Sequence, residues 1–441
     1  MHKKILFLFI LTAISISSYA QLKSGPMVGY ADYREVMLWV QTDKAAKVKI
    51  NYWEQGKIST KKATDEIMTT KENAYVAKLL ADDAYPGKVY DYELIINGKL
   101  VKRPYPLQFK TQTLWQFRTD PPNFKFAFGS CTYVSEPEFD RPGNSYGGNY
   151  EIFESIADKK PDFMIWTGDN AYYREVDYGT KGGMNKRMTH TRSLPEMQRL
   201  LGSASNYAIL DDHDYGPNNT DRSFGLKRSS LEVFKNFWAN PSYIFENEGV
   251  TGSFEWADVQ FFLLDDFWWK APTEVAHKND RGDYLGEKQL QWLIDALSFS
   301  KAPFKIIVVG GQIINPIRAF ENMSMFDKER DKLMNAIQQA KIQGVLFISG
   351  DRHHSVIHKM ERPGTYPLYD FTISPLTSGP SKPLNEEINS PSMVPGTLVT
   401  ERNFALAEVS GPRLNRVLKL SVHNSKGEQL WIKEFNAKDL K

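Results

Sequence analysis

The sequence predicts an α/β protein of the α+β type, in which a β-sandwich precedes a larger layered domain. Two observations carry this prediction. Residues 22–118 contain short runs of β-branched and aromatic residues separated by polar turns. After residue 124, apolar strand-like runs alternate with amphipathic helical segments, which is typical of a layered α/β domain. The aromatic content of 13% also suits a structure rich in β-strands.

The first twenty residues are predicted to be a signal peptide. Lys3 and Lys4 precede an apolar run from Ile5 to Ile14, which is too short to span a bilayer, and small residues lead up to Ala20. We therefore expect cleavage after Ala20 and export to a periplasmic or extracellular space. No later apolar run is long enough to be a transmembrane segment of the mature chain.

Residues 22–118 are predicted to form an immunoglobulin- or fibronectin-like sandwich. Its expected strands are the runs EVMLWVQT, AKVKINYWE, NAYVAKLL, VYDYELIING and PLQFKTQ. Asn97-Gly98 predicts a hairpin turn within this domain. The double proline of RTDPPNF, residues 118–124, predicts a linker, so the second domain is expected to be residues 119–441.

The second domain is predicted to alternate strands with helices. Helices are expected in five segments: 148–161, 193–203, 230–241, 285–300 and 326–342. Strands are expected at FKFAFGSC, DFMIWTGD, NYAILDDHD, VQFFLLDD, FKIIVVGGQ and GVLFISGDRHH. The end of the chain is predicted to be β only, with a loop rich in proline and serine at residues 380–402.

Composition excludes some classes of function. A formal net charge of +2 with mixed signs gives no nucleic-acid-binding signature. Cys131 is the only cysteine, so an internal disulfide is impossible, and stability must come from packing or from bound metal. We expect a monomer.

Four polar clusters each follow an apolar strand. They are Gly129-Ser130-Cys131, Gly168-Asp169-Asn170-Ala171-Tyr172, Asp211-Asp212-His213-Asp214 and Gly350-Asp351-Arg352-His353-His354. In open α/β sheets, loops at the carboxyl ends of strands converge on one cleft. A two-metal hydrolase needs a bridging carboxylate, and Asp169 suits that position because it has two oxygens to share. Asp351 and His353 alternate along an extended segment, which suits adjacent ligands.

Each cluster alone also has an ordinary structural interpretation. A single buried cysteine is usually an inert small hydrophobe, a glycine-aspartate pair after a strand is usually a turn, and Asp211-Asp212-His213 could cap a helix. The recurrence of polar groups at the same end of successive strands favours a shared site instead.

These motifs resemble those of the PhoD-type alkaline phosphatases in the calcineurin-like metallophosphoesterase superfamily. The resemblance rests on GSC, GDNAY, DDHD, the stretch from LLDD to YLGEKQLQWL at 263–293, and SGDRHH, and it covers most of the chain. It implies a four-layer α/β/β/α domain and a binuclear or multinuclear metal centre of Fe³⁺ plus Ca²⁺, with Mn²⁺ or Zn²⁺ as alternatives. The implied ligands of the ferric ion are Cys131, Asp169, Tyr172 and His353. Asp169 would bridge to the second ion, which Asp212 and Asp351 would also bind.

The resemblance further implies a secreted hydrolase that releases phosphate from monoesters or diesters through a metal-bound hydroxide. Asp169 and His213 would be the catalytic residues, with His213 as general acid or transition-state stabiliser. Proximity to the motifs adds four candidate contacts to the phosphoryl oxygens: Arg352, Asn218, Arg192 and His354.

Two departures from the superfamily pattern bear on function. Gln312 stands where many metallophosphoesterases have a histidine ligand, and the chain ends soon after the last predicted strand, without a long carboxy-terminal helix over the site. An open cleft would admit larger diesters, so a phospholipase-like phosphodiesterase is an alternative function. A non-catalytic surface binding module is a third. The sequence does not distinguish mono- from diester substrates, and it assigns no role to the 380–402 loop.

Overall fold

The computed structural model describes residues 21–274 and 282–441. The predicted signal peptide, residues 1–20, lies outside the described residues. Within the described ranges, no helix is both long enough and apolar enough to cross a membrane.

The strands are listed here in chain order. They are β1 (Leu22–Ala31), β2 (Val36–Thr42), β3 (Lys47–Glu54), β4 (Lys62–Ala63), β5 (Ile67–Met68), β6 (Val76–Ala81), β7 (Val89–Ile96), β8 (Lys99–Val101), β9 (Gln108–Lys110), β10 (Phe124–Gly129), β11 (Phe163–Thr167), β12 (Ser205–Ile209), β13 (Gly252–Trp256), β14 (Val259–Leu263), β15 (Lys305–Val308), β16 (Val345–Ser349), β17 (Val356–Met360), β18 (Leu368–Thr372), β19 (Asn403–Ser410), β20 (Val417–Asn424) and β21 (Gln429–Asn436).

The helices of the described ranges connect these strands. They are α1 (Ile152–Asp158), α2 (Lys181–Arg192), α3 (Gln198–Ser203), α4 (Asp212–Tyr215), α5 (Lys227–Phe237), α6 (Glu287–Phe299), α7 (Asp327–Gln339) and α8 (Asn385–Ile388).

The largest sheet has the strand order β21-β20-β19-β10-β11-β12-β1-β2-β6. Strands β10, β11 and β12 are parallel neighbours, so their carboxyl ends lie at one edge of the sheet. Strand β1 continues this sheet beyond β12, with Val28 opposite Ser205. The amino-terminal segment is therefore hydrogen-bonded to the strands that lead into the predicted site.

A second sheet has the order β13-β14-β15-β16-β18-β17, and its β14, β15, β16 and β18 are parallel. It stacks on the first sheet through aromatic side chains. The Phe261 ring lies 5.3 Å from the Phe126 ring and 5.4 Å from the Phe163 ring, edge to face in both pairs. This geometry adds to the energy of burial and fixes how the two sheets meet.

Helices cover the outer faces of both sheets. Phe153 of α1 and Trp238, just after α5, contact Trp166 on the outer face of the first sheet, with ring centroids 5.8 and 5.6 Å apart. On the second sheet, Trp292 of α6 lies 6.2 Å from Phe262. The predicted α/β/β/α layering is confirmed.

The predicted amino-terminal sandwich is also present. A third sheet has the order β4-β3-β7-β8, with β5 on β3 and β9 on β7. Its inward residues Val48 and Ile50 share one buried core with Leu38 and Val40 of the first sheet. The sandwich thus borrows one of its two layers from the sheet of the larger domain. The division of the chain near residue 118 stays a prediction.

Strand β1 and helix α2 are among the elements that sequence analysis missed. Strand β1 contains Gly25-Pro26, a pair that normally argues against a strand interior. Helix α2 (KGGMNKRMTHTR) has little apolar periodicity, and it is held by the Thr180 side chain, which caps its first turn by accepting from the Gly183 N–H at 3.0 Å.

Candidate metal centre

The four predicted polar clusters meet at one place, where the carboxyl ends of strands from both sheets converge. Cys131 follows β10, Asp169 follows β11 and Asp212 follows β12 in the first sheet, and Asp351 follows β16 in the second. The backbones interlock there, since the Cys131 N–H donates to the Gly168 carbonyl at 3.3 Å. Strand ends of a stacked pair of sheets thus supply every predicted ligand.

Four of the six predicted ligands adopt a left-handed backbone conformation that non-glycine residues rarely use. The φ angles are +64° at Cys131, +52° at Asp169, +61° at Asp351 and +54° at His353. Such conformations cost energy and cluster at functional sites, where the surrounding structure enforces them. The backbone is therefore organised to direct these side chains inward.

One group of ligand atoms comprises Cys131, Asp169 and His353, which all lie within 4.8 Å of one another. The Cys131 Sγ is 3.5 Å from Asp169 Oδ2, and the Tyr172 hydroxyl is 3.0 Å from His353 Nε2. Cys131 and Asp169 are fully buried, and Tyr172 is nearly so. The predicted set of thiol, carboxylate, phenol and imidazole is thus brought together.

Burial opposes ionisation within this group. It raises the pKa of the Cys131 thiol to about 11, with a further contribution from the Asp351 carboxylate. It raises the pKa of Tyr172 well above 10, and the Asp169 carboxylate adds to that rise. Without a bound cation, the thiol and the phenol therefore keep their protons.

The tautomer of His353 is set by its second nitrogen. Nδ1 lies 2.8 Å from the Gly379 carbonyl oxygen, and because a carbonyl can only accept, Nδ1 carries the hydrogen. This leaves Nε2 unprotonated, so its lone pair can accept from the Tyr172 hydroxyl or bind a metal. The Tyr146 hydroxyl also lies 2.8 Å from Nδ1, and the Tyr146 ring packs beside the His353 imidazole.

Two further groups share Asp169. Asp169, Asp212 and His213 form one, and Asp169, Asp211 and Asp351 form the other, each with ligand atoms within 4.8 Å. Asp211 Oδ2 and Asp212 Oδ1 are buried without a hydrogen-bond partner among the described residues. Burial and the neighbouring negative charges raise the pKa of both Asp169 and Asp211. Buried carboxylate oxygens without a hydrogen-bond partner are stabilised by a nearby cation.

Asp211 was not among the predicted ligands. Two glycines bring the chain close to it: a Cβ at Gly168 would lie 2.6 Å from the Asp211 Cβ, and one at Gly310 would lie 2.7 Å from the Asp211 Cγ. The carboxylate is thereby enclosed from both sheets. Sequence analysis placed Asp211 in the right cluster but could not see this enclosure.

The helix-cap interpretation of this cluster is also correct. Asp211 is the N-cap of α4, and Asp214 completes a capping box with it. Asp214 Oδ2 additionally accepts from the Asn170 N–H at 2.9 Å. Asp214 thus joins the GDNAY loop to the start of α4, which positions Asp169 and Asp212 relative to each other.

His213 lies at the border of the centre and a cleft. The His213 backbone N–H donates to Asp169 Oδ1 at 3.2 Å, and the centroid of its ring is 4.1 Å from that of Tyr172. Burial lowers the pKa of His213. The cleft has a volume of about 750 Å³, and Tyr133, Phe139 and Tyr146 contribute aromatic walls.

The structure does not bring three of the four predicted phosphoryl contacts to this centre. Arg352 is buried in an ion pair with Glu387, and its Nη1 donates to Gln312 Oε1 at 2.7 Å. Arg192 lies under the outer helices with its guanidinium 3.7 Å from the Trp238 ring centroid. His354 is buried, and its pKa is lowered to about 3, first by burial and then by Arg352. Only Asn218 lines the cleft, and it is exposed there.

The contacts of Arg352 also show the structural roles of Gln312 and of the 380–402 loop. Gln312 Nε2 donates to Thr372 Oγ1 at 2.9 Å, so both ends of its amide are used within the core. Glu387 comes from α8, inside the 380–402 loop. The loop therefore supplies the carboxylate that neutralises Arg352 behind the metal-ligand segment.

Lys270 and Glu321 form a buried ion pair that sequence analysis missed. Their Nζ and Oε1 atoms are 2.8 Å apart, and the Lys270 side chain is fully buried. Burial raises the pKa of Glu321 to about 7; Lys270 opposes the rise, whereas Asp212 and Asp351 add to it. Lys270 and Glu321 lie in the loops that follow the carboxyl ends of β14 and β15. That position after a predicted strand is the feature of the sequence that could have identified them.

Comparison with known proteins adds independent findings. Residues 126–409 match the PhoD-like phosphatase family, and residues 19–114 match a domain of unknown function, DUF7800. Alkaline phosphatase D of Bacillus subtilis (strain 168) is 22% identical over 331 residues, which are 64% of this chain and 54% of that protein. The match thus spans about half the length of this curated relative.

Two solved structures share the fold. A structure of PhoD superposes with a TM-score of 0.77 at 15% identity and covers 94% of this chain and 90% of that one. The purple acid phosphatase PPD1 from yellow lupin (Lupinus luteus) seeds superposes with a TM-score of 0.68 at 11% identity, covering 93% and 73%. At these identities the likeness concerns the fold.

Proposed function

The chain belongs to the PhoD-like phosphatase family, and from that premise we propose that it is an exported, metal-dependent phosphoric ester hydrolase. One observation carries the proposal: among the described residues, three groups of ligand atoms could hold a metal ion, and Asp169 belongs to each of them. A single carboxylate shared in this way is what a bridged pair of ions requires. Export rests on the predicted signal peptide alone.

The residues present fit such a centre. Asp211 Oδ2 and Asp212 Oδ1 are buried and lack partners among the described residues, so they are free to bind cations. Bound ions would supply positive charge to the phosphoryl oxygens and lower the pKa of a coordinated water. Uncompensated carboxylates at this density would otherwise destabilise the fold.

The two sides of the centre differ in chemistry, and we assign different ions to them. Cys131, Tyr172 and His353 with Asp169 offer a thiolate, a phenolate and an imidazole, which suit Fe³⁺; because burial keeps the first two protonated, a strongly charged ion is needed to hold them ionised. On the other side, carboxylate oxygens suit a hard cation such as Ca²⁺, with Mn²⁺ or Zn²⁺ as alternatives. Those oxygens come from Asp169, Asp211, Asp212 and Asp351.

His213 is assigned the role of general acid or transition-state stabiliser. It lines the cleft, and its backbone N–H holds Asp169 Oδ1. Packing against the Tyr172 ring fixes the plane of its imidazole. A substrate whose phosphoryl group faces Asp169 would place its leaving oxygen within reach of this imidazole.

The cleft favours esters with a sizeable organic group. Its volume of about 750 Å³ exceeds what a phosphoryl group alone fills, and Phe139 and Tyr146 are each about two-fifths exposed on its wall. Phosphomonoesters and phosphodiesters both fit this description. A phospholipase-like diesterase remains the alternative activity, and substrate profiling separates the two.

The decisive test is Asp169→Asn, which keeps the size of the side chain and removes the shared charge. We expect phosphate release to fall by about 10³-fold or more, with bound metal reduced and the unfolding temperature retained or raised. Glu175→Gln is the matched control, since it removes an exposed carboxylate from the same cleft outside the three groups. Turnover retained in Asp169→Asn would remove this residue from the centre, and a wild-type protein inactive on all phosphate esters would leave a non-catalytic binding module.

A further inference from the structure

A second cavity lies at the opposite end of the strands that carry the metal ligands. It has a volume of about 430 Å³ and sits where α6 leads into β15 and α7 leads into β16. The turn between β19 and β20 and the end of the chain close its other side. From Lys305 to Gly310, one extended strand separates this cavity from the metal centre by about 16 Å.

The cavity is lined by cations without acidic neighbours in its wall. Among the described residues, no aspartate or glutamate side chain lines it. The six basic residues that do are Lys301, Lys305, Lys341, Arg413, Lys438 and Lys441. Two acids near the turn between β19 and β20 are engaged with it, since Asp120 accepts from the Arg413 backbone N–H at 3.1 Å and Asp258 pairs with Arg416. In a chain of net charge +2, this is a strong local excess of one sign.

Lys305 forms the floor of the cavity. The residue is only 5% exposed, and its Nζ donates to the carbonyls of Ala302 and Gln343 at 2.8 and 3.0 Å. An ammonium has three donors, so one is left over at the cavity. Burial, followed by repulsion from Lys301, lowers the pKa of Lys305 to about 8, which an anion at this position would reverse.

Two strongly exposed apolar residues belong to the chain segments that line the same cavity. Leu414 lines it and is 91% exposed, and Phe299, between the lining residues Ser298 and Ser300, is 84% exposed. Single exposed apolar residues are common, but two beside a basic concavity form the combination that interfacial proteins use on anionic lipid.

We propose that this basic cavity, with Leu414 in its wall and Phe299 next to it in the chain, docks the protein on an anionic membrane surface, where a lipid phosphate enters beside Lys305. A soluble polyanion would use the cations but would leave both apolar side chains without a function. A lipid surface uses both: the cations meet head groups, and Phe299 and Leu414 enter the boundary with the acyl chains.

This docking has a consequence for orientation. The cavity is at the amino ends of β15 and β16, and the candidate ligands Asp351 and His353 follow the carboxyl end of β16. A protein docked through the cavity therefore turns its metal centre away from the lipid. The docked protein would act on phosphate esters in solution, and the proposal does not depend on whether it hydrolyses them.

The test is cosedimentation of the purified protein with vesicles of neutral phosphatidylcholine, with and without 30% phosphatidylglycerol, at low and at physiological salt. We expect binding to the anionic vesicles only, weakening as salt rises. Each cation near an anionic surface contributes modestly and additively, so reversing three of them in Lys301→Glu/Lys341→Glu/Lys438→Glu should lower vesicle affinity at least about 100-fold. Phe299→Ser/Leu414→Ser should lower it about 10-fold.

The matched control reverses three exposed lysines that lie outside the cavity: Lys23→Glu, Lys102→Glu and Lys186→Glu. It has the same net charge as the first variant, and we expect it to bind nearly as the parent does. Equal losses in both triple variants, or no binding to anionic vesicles at low salt, would overturn the proposal.

Soluble anions complete the test. Inorganic phosphate and polyphosphate are titrated in the absence of vesicles, followed by the unfolding temperature. Tight polyphosphate binding that is lost in the lysine variant and unchanged in Phe299→Ser/Leu414→Ser would overturn the membrane assignment in favour of a soluble polyanion site. Weak anion binding with tight vesicle binding supports it.

Discussion

Gly310→Ala is expected to disable one cation site by adding a single methyl group. The new Cβ would lie 2.7 Å from the Asp211 Cγ and 2.8 and 2.9 Å from its two carboxylate oxygens. Ordinary contact begins near 3.4 Å, so the carboxylate must retreat by about 0.7 Å. Gly310 does not use a left-handed φ, so the change adds bulk without backbone strain.

Asp211 has little room to retreat. Its Oδ1 accepts from the Asp212 N–H at 3.1 Å, and Gly168 closes the far side, where even a Cβ would lie 2.6 Å from the Asp211 Cβ. Overpacking of this kind costs about 1–3 kcal/mol. Since the cation needs the carboxylate oxygen in its present place, we expect its affinity to fall about 10- to 100-fold.

The assay is equilibrium dialysis against Ca²⁺, with phosphate release measured over the same range of Ca²⁺ concentration. The half-saturating concentration should rise in Gly310→Ala, and kcat should recover when Ca²⁺ saturates. Gly225→Ala is the matched control, because a Cβ there meets no atom within 4 Å. Unchanged Ca²⁺ binding in Gly310→Ala would refute the assignment of Asp211 as a ligand.

Three further predictions concern the metal, the acid and the pH dependence of stability. The purified protein should be coloured by charge transfer from Cys131 and Tyr172 to iron, and chelation should remove colour and activity together; an active, colourless, iron-free preparation would contradict the ferric assignment. His213→Ala should slow alkyl phosphates more than activated aryl phosphates, whose leaving groups need no proton, and equal losses would argue against an acid role. His358 is buried beside Ser392, and burial first, then Arg352, lowers its pKa from 6.5 to about 4. The imidazole in the unfolded chain takes up a proton more readily than the buried one does. The free energy of unfolding therefore keeps its full value above about pH 6.5 and falls, by about 3 kcal/mol in all, as the pH drops towards 4. Urea unfolding from pH 7 to 4 should therefore show a shallower loss of stability in His358→Gln, and identical slopes would exclude this contribution.

The strand-end clusters were predictable because a residue's position after a strand in the sequence also fixes its position at one edge of the sheet. A parallel strand brings the residues after it to the same edge as its neighbours, so Cys131, Asp169 and Asp212 could be placed together from their positions along the chain. Hydrophobic runs also gave the alternation of strands and helices and hence the layering. Helix α2 was missed because its sequence has little apolar periodicity. A cap and a tertiary contact stabilise it instead.

Side-chain direction was not predictable. Arg352 lies between Asp351 and His353 in the sequence, yet its guanidinium points to Glu387 and Gln312 in the core. The alternation of an extended segment gives opposite faces to neighbours but does not say what each face meets. The partner of Arg352 lies 35 residues further along the chain, in a loop without a motif.

The sequence by itself determined the fold class and the four strand-end clusters. These follow from local pattern, because hydrophobic periodicity defines strands and each motif follows its own strand. The set of thiol, carboxylate, phenol and imidazole around Asp169 was implied by the resemblance to PhoD-type phosphatases. Only the tertiary structure decided which polar groups share one centre. Asp211 joins it through the close approach of Gly168 and Gly310, Arg352 leaves it for Glu387, and the cations of the basic cavity meet from four separate stretches of chain. The physical reason is that enclosure and charge balance depend on contacts between distant segments, which the order of residues along one strand does not specify.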